Sequence, residues 1–287
     1  MLPIAFDQKG MIDFDYWVEN PIVPMFHSHS FYEVYYFHQG RCNYLIGDKI
    51  YMLSPGDLIL MYGMTLHGAN ADPTVPYIRT IVHFDPTFLR PFLELPYAVN
   101  LLQPFQELRN RRISLNGKEK EEVERLLANM NEQQLRQNRT GVYRMQLAFV
   151  DLLYIIYEQC LNPLQHKTES ASEKERIVQQ IISFIEDNYA AEIHLEQMED
   201  HLHFSKSYLS KLFKEITGFT IFDYIYRRRI NQARNLFMTN PRRSVTEICV
   251  ETGFKHLAHF SRLFKLHAGI TPEVYKRQIR DSLLNRR

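Results

Sequence analysis

Between residues 27 and 84 the chain alternates short apolar and aromatic runs with turn residues. Phe31–Phe37, Asn43–Leu45, Lys49–Leu53 and Tyr77–Phe84 are rich in aromatic and β-branched side chains. Gly40, Gly47-Asp48, Pro55-Gly56-Asp57, Gly63 and Asp72-Pro73 punctuate them. Short strands with turns at this spacing predict an antiparallel sandwich or barrel over residues 1 to about 95. From Pro104 the period becomes helical. Lys118–Gln137 places Val123, Leu126, Leu127 and Met130 on one side, and Val142–Leu161 follows with Met145, Ala148, Phe149, Leu152, Leu153, Ile155 and Ile156. That second stripe is wider than one packing face needs; it accommodates burial against the β domain, a dimer seam, or both. Asn162–Glu175, polar and carrying Pro163, reads as a linker.

The last third is a run of short helices with clear stops. Ile177–Asn188 and Leu195–Leu202 come first. Ser205 caps Lys206–Thr217, and Gly218 closes it. Ile221–Met238 ends at Asn240-Pro241. Ser244 and Glu247 form a capping box for a helix through Val250, Gly253-Phe254 makes a turn, His256–Ala268 follows, and Pro272 opens a final helix. Within this run a pattern repeats after 51 residues. Leu209-Ser210-Lys211-Leu212-Phe213-Lys214, Gly218, Thr220 and Tyr224 recur as Phe260-Ser261-Arg262-Leu263-Phe264-Lys265, Gly269, Thr271 and Tyr275. Each unit is an amphipathic helix, a glycine stop and a new helix start.

Charge follows the repeat. From Ser205 to Arg287 there are 17 Lys and Arg against 6 Asp and Glu, although the formal charge of the whole chain is +1. A basic surface on a duplicated helical hairpin suits the phosphates of DNA. A helix the length of Ile221–Met238 is about 27 Å long, and successive major-groove faces lie about 34 Å apart, so one rigid helix can hold two recognition helices about a turn of DNA apart.

The segment Ser205–Tyr224, with Thr246-Glu247-Ile248, Gly253-Phe254, Phe260-Ser261-Arg262-Leu263-Phe264-Lys265, Gly269-Ile270-Thr271-Pro272 and Tyr275, resembles the signature of AraC/XylS-family transcription regulators over about 105 residues. The resemblance implies two helix-turn-helix units. It implies base-facing positions at Ser207, Ser210 and Lys211 in the first, with Lys206 and Lys214 nearer phosphates. In the second it implies Leu257, Ala258, His259 and Arg262 against bases, flanked by Lys255, His256 and Lys265. Leu209, Phe213, Phe260 and Phe264 are hairpin core. Arg262 suits a guanine edge, and Leu257 and Ala258 offer only apolar contact to a thymine methyl group. Glu199 departs from the family, standing where a small Ala is usual; Cys249 at the equivalent site is small enough.

A second constellation lies near the start: His27-Ser28-His29, Glu33, Gly40, Gly47, Pro55-Gly56-Asp57 and His67. If one strand runs through, His27, His29 and Glu33 share a face, and His67 can complete three histidines and a carboxylate, a set that suits Zn, Ni, Fe or Mn. The H-x-H-x3-E-x6-G spacing resembles the first cupin motif. The second motif is degraded, with Tyr62 and Met64 where Pro and Gly are usual. Three readings stay open. His27, His29, Glu33 and His67 bind a divalent metal; or the same residues with Tyr35, Phe37 and Arg79 form an effector pocket; or the histidines are hydrogen-bonded barrel residues. For Arg79 the bland role is a salt bridge to Glu33.

Composition narrows the class. No stretch is long and apolar enough to span a membrane, and Met1–Gly10 lacks the apolar core of a signal peptide. Cys42, Cys160 and Cys249 are odd in number and scattered, which argues against a disulfide framework and fits a reducing cytoplasm. The expected fold is α+β and multidomain: a cupin-like antiparallel barrel at 1–98, a helical dimerisation region at 99–162, a flexible linker at 163–175 and an all-α bipartite helix-turn-helix domain at 176–287. The scattered cysteines place it in the cytoplasm, the wide helix stripe points to a homodimer, and the resemblance implies activation of transcription with RNA polymerase at promoter DNA. It also implies a small-molecule effector, a sugar by family default, and no required cofactor. The alternative is a metal-dependent cupin enzyme or metal sensor fused to a DNA-binding module.

Overall fold

The computed structural model describes residues 11–19, 27–161 and 172–284. Its strands are β1 (Ile12–Val18), β2 (Tyr32–Gln39), β3 (Cys42–Ile46), β4 (Lys49–Met52), β5 (Asp57–Met61), β6 (His67–Ala71), β7 (Ile78–Phe84) and β8 (Arg111–Ser114). All pairings are antiparallel, in two sheets ordered β1-β7-β2-β5-β8 and β4-β3-β6. The β8 strand completes the larger sheet from beyond residue 98. Its short polar sequence, Arg-Arg-Ile-Ser, gives no apolar alternation by which to find it.

Central strand β2 explains the layering. Tyr35 and Phe37 enter the space between the sheets with Tyr44, Ile46, Ile59, Met61 and Tyr77. Val34 and Tyr36 face the other way into a second core. Buried on both faces, β2 reads as a continuous run rather than an alternation. The second core lies under α1 (Arg90–Leu93), α2 (Gln103–Glu107), α3 (Gly117–Leu135) and α4 (Arg139–Leu161). Val123, Leu127, Phe149, Leu152 and Leu153 supply its helical side.

The C-terminal half is all helical: α5 (Glu173–Asn188), α6 (Leu195–Leu202), α7 (Lys206–Thr217), α8 (Ile221–Thr239), α9 (Val245–Glu251), α10 (Leu257–Ala268) and α11 (Pro272–Leu284). Residues 162–171 of the expected linker lie outside the described residues. Its end does not: α5 starts at Glu173, four residues before Ile177, because Ser172 and Glu175 cap each other's backbone. Helices α7 and α10 end alike, on Gly218 at φ 80° and Gly269 at φ 79°, left-handed positions that favour glycine.

The outer face of the smaller sheet carries the first helical hairpin. Leu45, Ile50 and Leu66 share one core with Ile181, Leu209, Phe213 and Tyr224. Polar contacts rim it. The Asn43 and Asn70 amides donate to Ile216 O at 3.0 and 2.9 Å, the Gln179 amide donates to Asp48 O at 2.6 Å, and the Tyr224 hydroxyl donates to Gly47 O at 2.9 Å.

One buried side chain joins the two hairpins. From α8, Arg229 donates to Tyr189 O at 2.6 Å, Ala191 O at 2.7 Å and Gly253 O at 2.8 Å. The first two carbonyls belong to the α5–α6 turn and the third to the α9–α10 turn. The turns meet backbone to backbone there: a Cβ at residue 253, where φ is +84°, would stand 2.6 Å from Ala190 O, so only glycine fits. Replacing Arg229 with Met strands three carbonyls and should destabilise the C-terminal half by about 3 kcal/mol, with Lys recovering less than half of that. Urea unfolding of the full chain measures it; a loss near zero would mean that water serves the carbonyls as well.

Candidate nucleic-acid interface and histidine cluster

The residues assigned to DNA occupy one kind of position. Lys206, Ser207, Lys211 and Lys214 are exposed on α7, and Ser210 is half-buried. Lys255, His256, Leu257, Ala258, Arg262 and Lys265 are exposed on or beside α10. Opposite them, Leu209, Phe213, Phe260 and Phe264 have no exposed surface. His259 is the mixed case: half-buried, it sets its ring edge-on to Tyr226 at 5.3 Å, so part of its role is packing. Two lysines are already engaged, Lys206 with Glu196 at 2.6 Å and Lys255 with Glu192 at 2.7 Å. These exposed pairs are weak enough for phosphate to displace the carboxylates. Glu199 is half-buried, and its charge reaches Lys206, so it does not fill the tight crossing with an apolar group. Tyr208, exposed on α7 between Ser207 and the next turn's Lys211, gave no signal in the repeat, whose equivalent residue is His259.

The histidine cluster assembles at one end of the barrel, but not on one strand. The β2 strand begins only at Tyr32; His27 is held by an isolated antiparallel bridge to His67, at the start of β6. His29 arrives from the irregular stretch between that bridge and the bend before β2, Glu33 from β2 itself. Sequence reasoning missed His83. It comes from β7, directly opposite Glu33 in the sheet register. Its period-2 position beside Arg79 and Ile81 was a signal, but only the β2–β7 pairing gives it meaning.

Glu33 Oε2 is the focus. His29 Nε2 and His83 Nε2 each lie 3.1 Å from it and His67 Nε2 lies 3.4 Å away. Glu33 and His67 are each only 2% exposed. Burial pushes the Glu33 carboxyl up, but the charge of His83 and hydrogen bonds from His29 and His83 outweigh it and hold the group well below the usual carboxylate range. Burial lowers His67, helped by neighbouring His27, to about 3, so its ring is neutral. For His83 burial works downward, but Glu33 prevails and raises it. A buried carboxylate held in its charged form thus sits beside one imidazole that burial pushes down and another that the carboxylate pulls up.

The other residues expected in an effector pocket lie elsewhere in the barrel. Tyr35 and Phe37 are at most 1% exposed inside the core, and the Tyr35 hydroxyl meets that of Tyr77 at 2.6 Å. Arg79 is four residues along β7 from His83, lies over the Tyr77 ring and donates to Val18 O at 3.3 Å. Histidines, not Arg79, take up the Glu33 charge. Open space lies at the seam instead: a cleft of about 830 Å³ between barrel and α8, bordered by Asp48, Lys49, Tyr62, Asn110, Arg228 and Asn235.

Comparison with known proteins agrees with both halves. A family profile described as an AraC-like ligand binding domain matches residues 21–139, and a helix-turn-helix domain profile matches residues 198–278. The chain is similar to an uncharacterized HTH-type transcriptional regulator in the cgkA 5′ region of Pseudoalteromonas carrageenovora, 32% identical over 127 residues, 41% of this chain and 75% of that protein. It is 31% identical over 120 residues to the Msm operon regulatory protein of Streptococcus mutans, 42% of this chain and 43% of that one; it spans less than half of that relative. Similarity to the HTH-type transcriptional activator RhaS of Citrobacter koseri runs further, 24% identity over 258 residues, 90% of this chain and 89% of that one.

Proposed function

The chain belongs to the AraC/XylS family of DNA-binding transcription regulators with an N-terminal ligand-binding domain, and from that premise we propose that it activates transcription from a promoter in response to a small molecule. The observation that carries this reading is the pair of glycine-capped helices, α7 and α10, with exposed basic faces, fixed to one bridging helix by Arg229. In this reading Lys206, Lys214, Lys255 and Lys265 hold phosphates while Ser207, Ser210, Lys211 and Arg262 face base edges in two successive major grooves. Leu257 and Ala258 supply apolar contact, and His256 and His259 flank it. The protein works in the cytoplasm, recruits RNA polymerase and catalyses nothing itself; its relatives are named as regulators.

A carbohydrate effector fits the seam better than the barrel core. Carboxylate, amide and guanidinium groups of Asp48, Asn110, Asn235 and Arg228 can meet hydroxyls, and Tyr62, 39% exposed, offers a ring face. A ligand there touches both halves at once.

The second role of α4 is self-association. Tyr143, Leu147, Val150, Tyr154, Tyr157 and Leu161 recur at alternating spacings of four and three, the heptad rhythm by which helices pair. Tyr143, Leu147, Tyr154 and Leu161 are exposed, with Leu147 at 59%, which supports a homodimer through this face.

Arg262→Ala should cost about 1–3 kcal/mol at the preferred site and relax one base position, whereas Lys265→Ala should weaken all sequences alike and reduce the salt slope by about one; anisotropy titrations on site variants separate the two, and unchanged base preference in the Arg262 variant refutes its role. Sugars that raise the melting temperature of the full chain should lose that effect in Arg228→Ala; a shift equal to wild type moves the ligand out of the cleft. Leu147→Glu should convert dimer to monomer in sedimentation, and a dimer of undiminished affinity excludes the α4 seam.

A further inference from the structure

Beside the polar cleft at the seam lies a second, much smaller recess. His27 and Ser28 of the barrel, Arg227, Asn231 and Arg234 of α8 and His267 of α10 border it. Residues 227, 231 and 234 share one face of the bridging helix, so the barrel, that helix and the second hairpin all meet there. Two of these side chains are guanidiniums and two are imidazoles, and among the described residues no carboxylate borders the recess. From outside it, the charge of Asp223 reaches Arg227 and His267.

Burial pulls the Arg227 guanidinium below its ordinary value. It also lowers His267, helped by the Arg227 charge, to about 4, so that ring is neutral and brings one N–H. Arg234 donates through Nη1 to Ser28 Oγ at 2.5 Å and through both terminal nitrogens to Ser28 O at 3.2 Å. Its Nε is buried and makes no hydrogen bond. The Ser28 hydroxyl donates in turn to Asn231 Oδ1 at 2.7 Å, which holds the strap between His27 and His29 against α8. Positive groups drawn out of water at one spot are costly to keep together, and an anionic oxygen among them removes the cost.

Size decides what kind of anion. The recess measures about 20 Å³ where a water needs about 10–15 Å³, so it admits one end of a ligand and not a whole metabolite. The body has a place beside it: Leu66 and Asn231 border both the recess and the 830 Å³ cleft between barrel and α8. The cleft balances Asp48, Glu107 and Glu186 against Lys49, Arg109 and Arg228, whereas the recess is basic alone. We propose that the effector is an acidic sugar derivative, a polyol bearing a phosphate or carboxylate, whose body occupies the cleft and whose anionic oxygen enters the recess against Arg227, Arg234 and His267. The inference rests on the reading of a carbohydrate effector at the seam and narrows it. An anion held there touches the strap, the bridging helix and the last turn of α10 together, so its arrival bears on both hairpins.

The test titrates full-length protein, by calorimetry and by melting temperature, with neutral aldoses, the matching uronic acids and sugar phosphates, and inorganic phosphate. One anionic member should bind at least about tenfold more tightly than its neutral parent and raise the melting temperature. Arg227→Gln and His267→Ala should each remove that advantage and leave the affinity for the neutral parent unchanged, whereas Arg228→Ala should weaken both. Where one of the first two fails to fold by circular dichroism, the other carries the comparison. Neutral sugars that bind as tightly as every anionic partner overturn the acidic effector and leave the carbohydrate reading standing. An anionic advantage that survives in the folded variants takes the charge out of the recess and overturns the inference. Inorganic phosphate that binds as tightly as any sugar derivative marks an ion site with no part in the cleft, and overturns it too. If no member of the panel binds, the carbohydrate reading fails and the inference falls with it.

Discussion

Arg229 gathers the carbonyls of Tyr189, Ala191 and Gly253, and those three atoms belong to turns of two different helical hairpins. The relative placement of the two hairpins depends on that convergence. Two recognition helices are useful together only if their separation and relative rotation are fixed before binding, since otherwise ordering them consumes binding energy. A guanidinium can do this where an ammonium cannot, because its planar fork meets several acceptors in different directions. The close approach at Gly253 shows how tight the joint is, as no side chain larger than hydrogen fits beside Ala190.

The N-terminal half is built on a different constraint. Its interior is filled by Tyr35, Phe37, Tyr44, Ile46 and Tyr77, with the hydroxyls of Tyr35 and Tyr77 satisfying each other. A barrel packed this way leaves its chemistry at the rim and the seam. The histidine cluster lies at the rim and the polar cleft at the seam, and both border α8. Barrel rim and bridging helix are thus neighbours in space although about two hundred residues separate them in sequence.

Much of this was legible without coordinates. Turn residues placed β2, β3, β4 and β7 to within two residues, while β1, β5 and β6 were named by no run; caps placed the C-terminal helices, with α7 found residue for residue from Ser205 and Gly218. The 51-residue repeat separated hairpin core from exposed readers, and Phe260 and Phe264 are indeed buried. What escaped shares a cause. The β8 strand, the part His83 plays beside Glu33 and the bond from Ser28 to Asn231 all depend on long-range pairing, which no local period encodes. The run of His27 to Glu33 looked like one strand because alternation alone cannot show that pairing stops at Tyr32. Arg79 was set against Glu33 for want of the register, which places His83 there. The start of α5 at Glu173 was hidden because a polar first turn, capped by Ser172, looks like a linker.

The attachment of α8 to the barrel has a mechanical side. The helix touches the barrel near Tyr224, through Gly47, and again at Arg234, through Ser28. Ten residues separate these points, about 15 Å along the axis. With Tyr224 as pivot, a 1 Å shift of Ser28 tilts the helix by about 4°, and groups beyond Arg234 sweep further than the strap that moved them. Because Arg229 welds both hairpins to this lever, the tilt does not change their spacing. Such a tilt would re-aim them as a unit, so a small displacement at the barrel rim would be read out as a change in the angle of both hairpins.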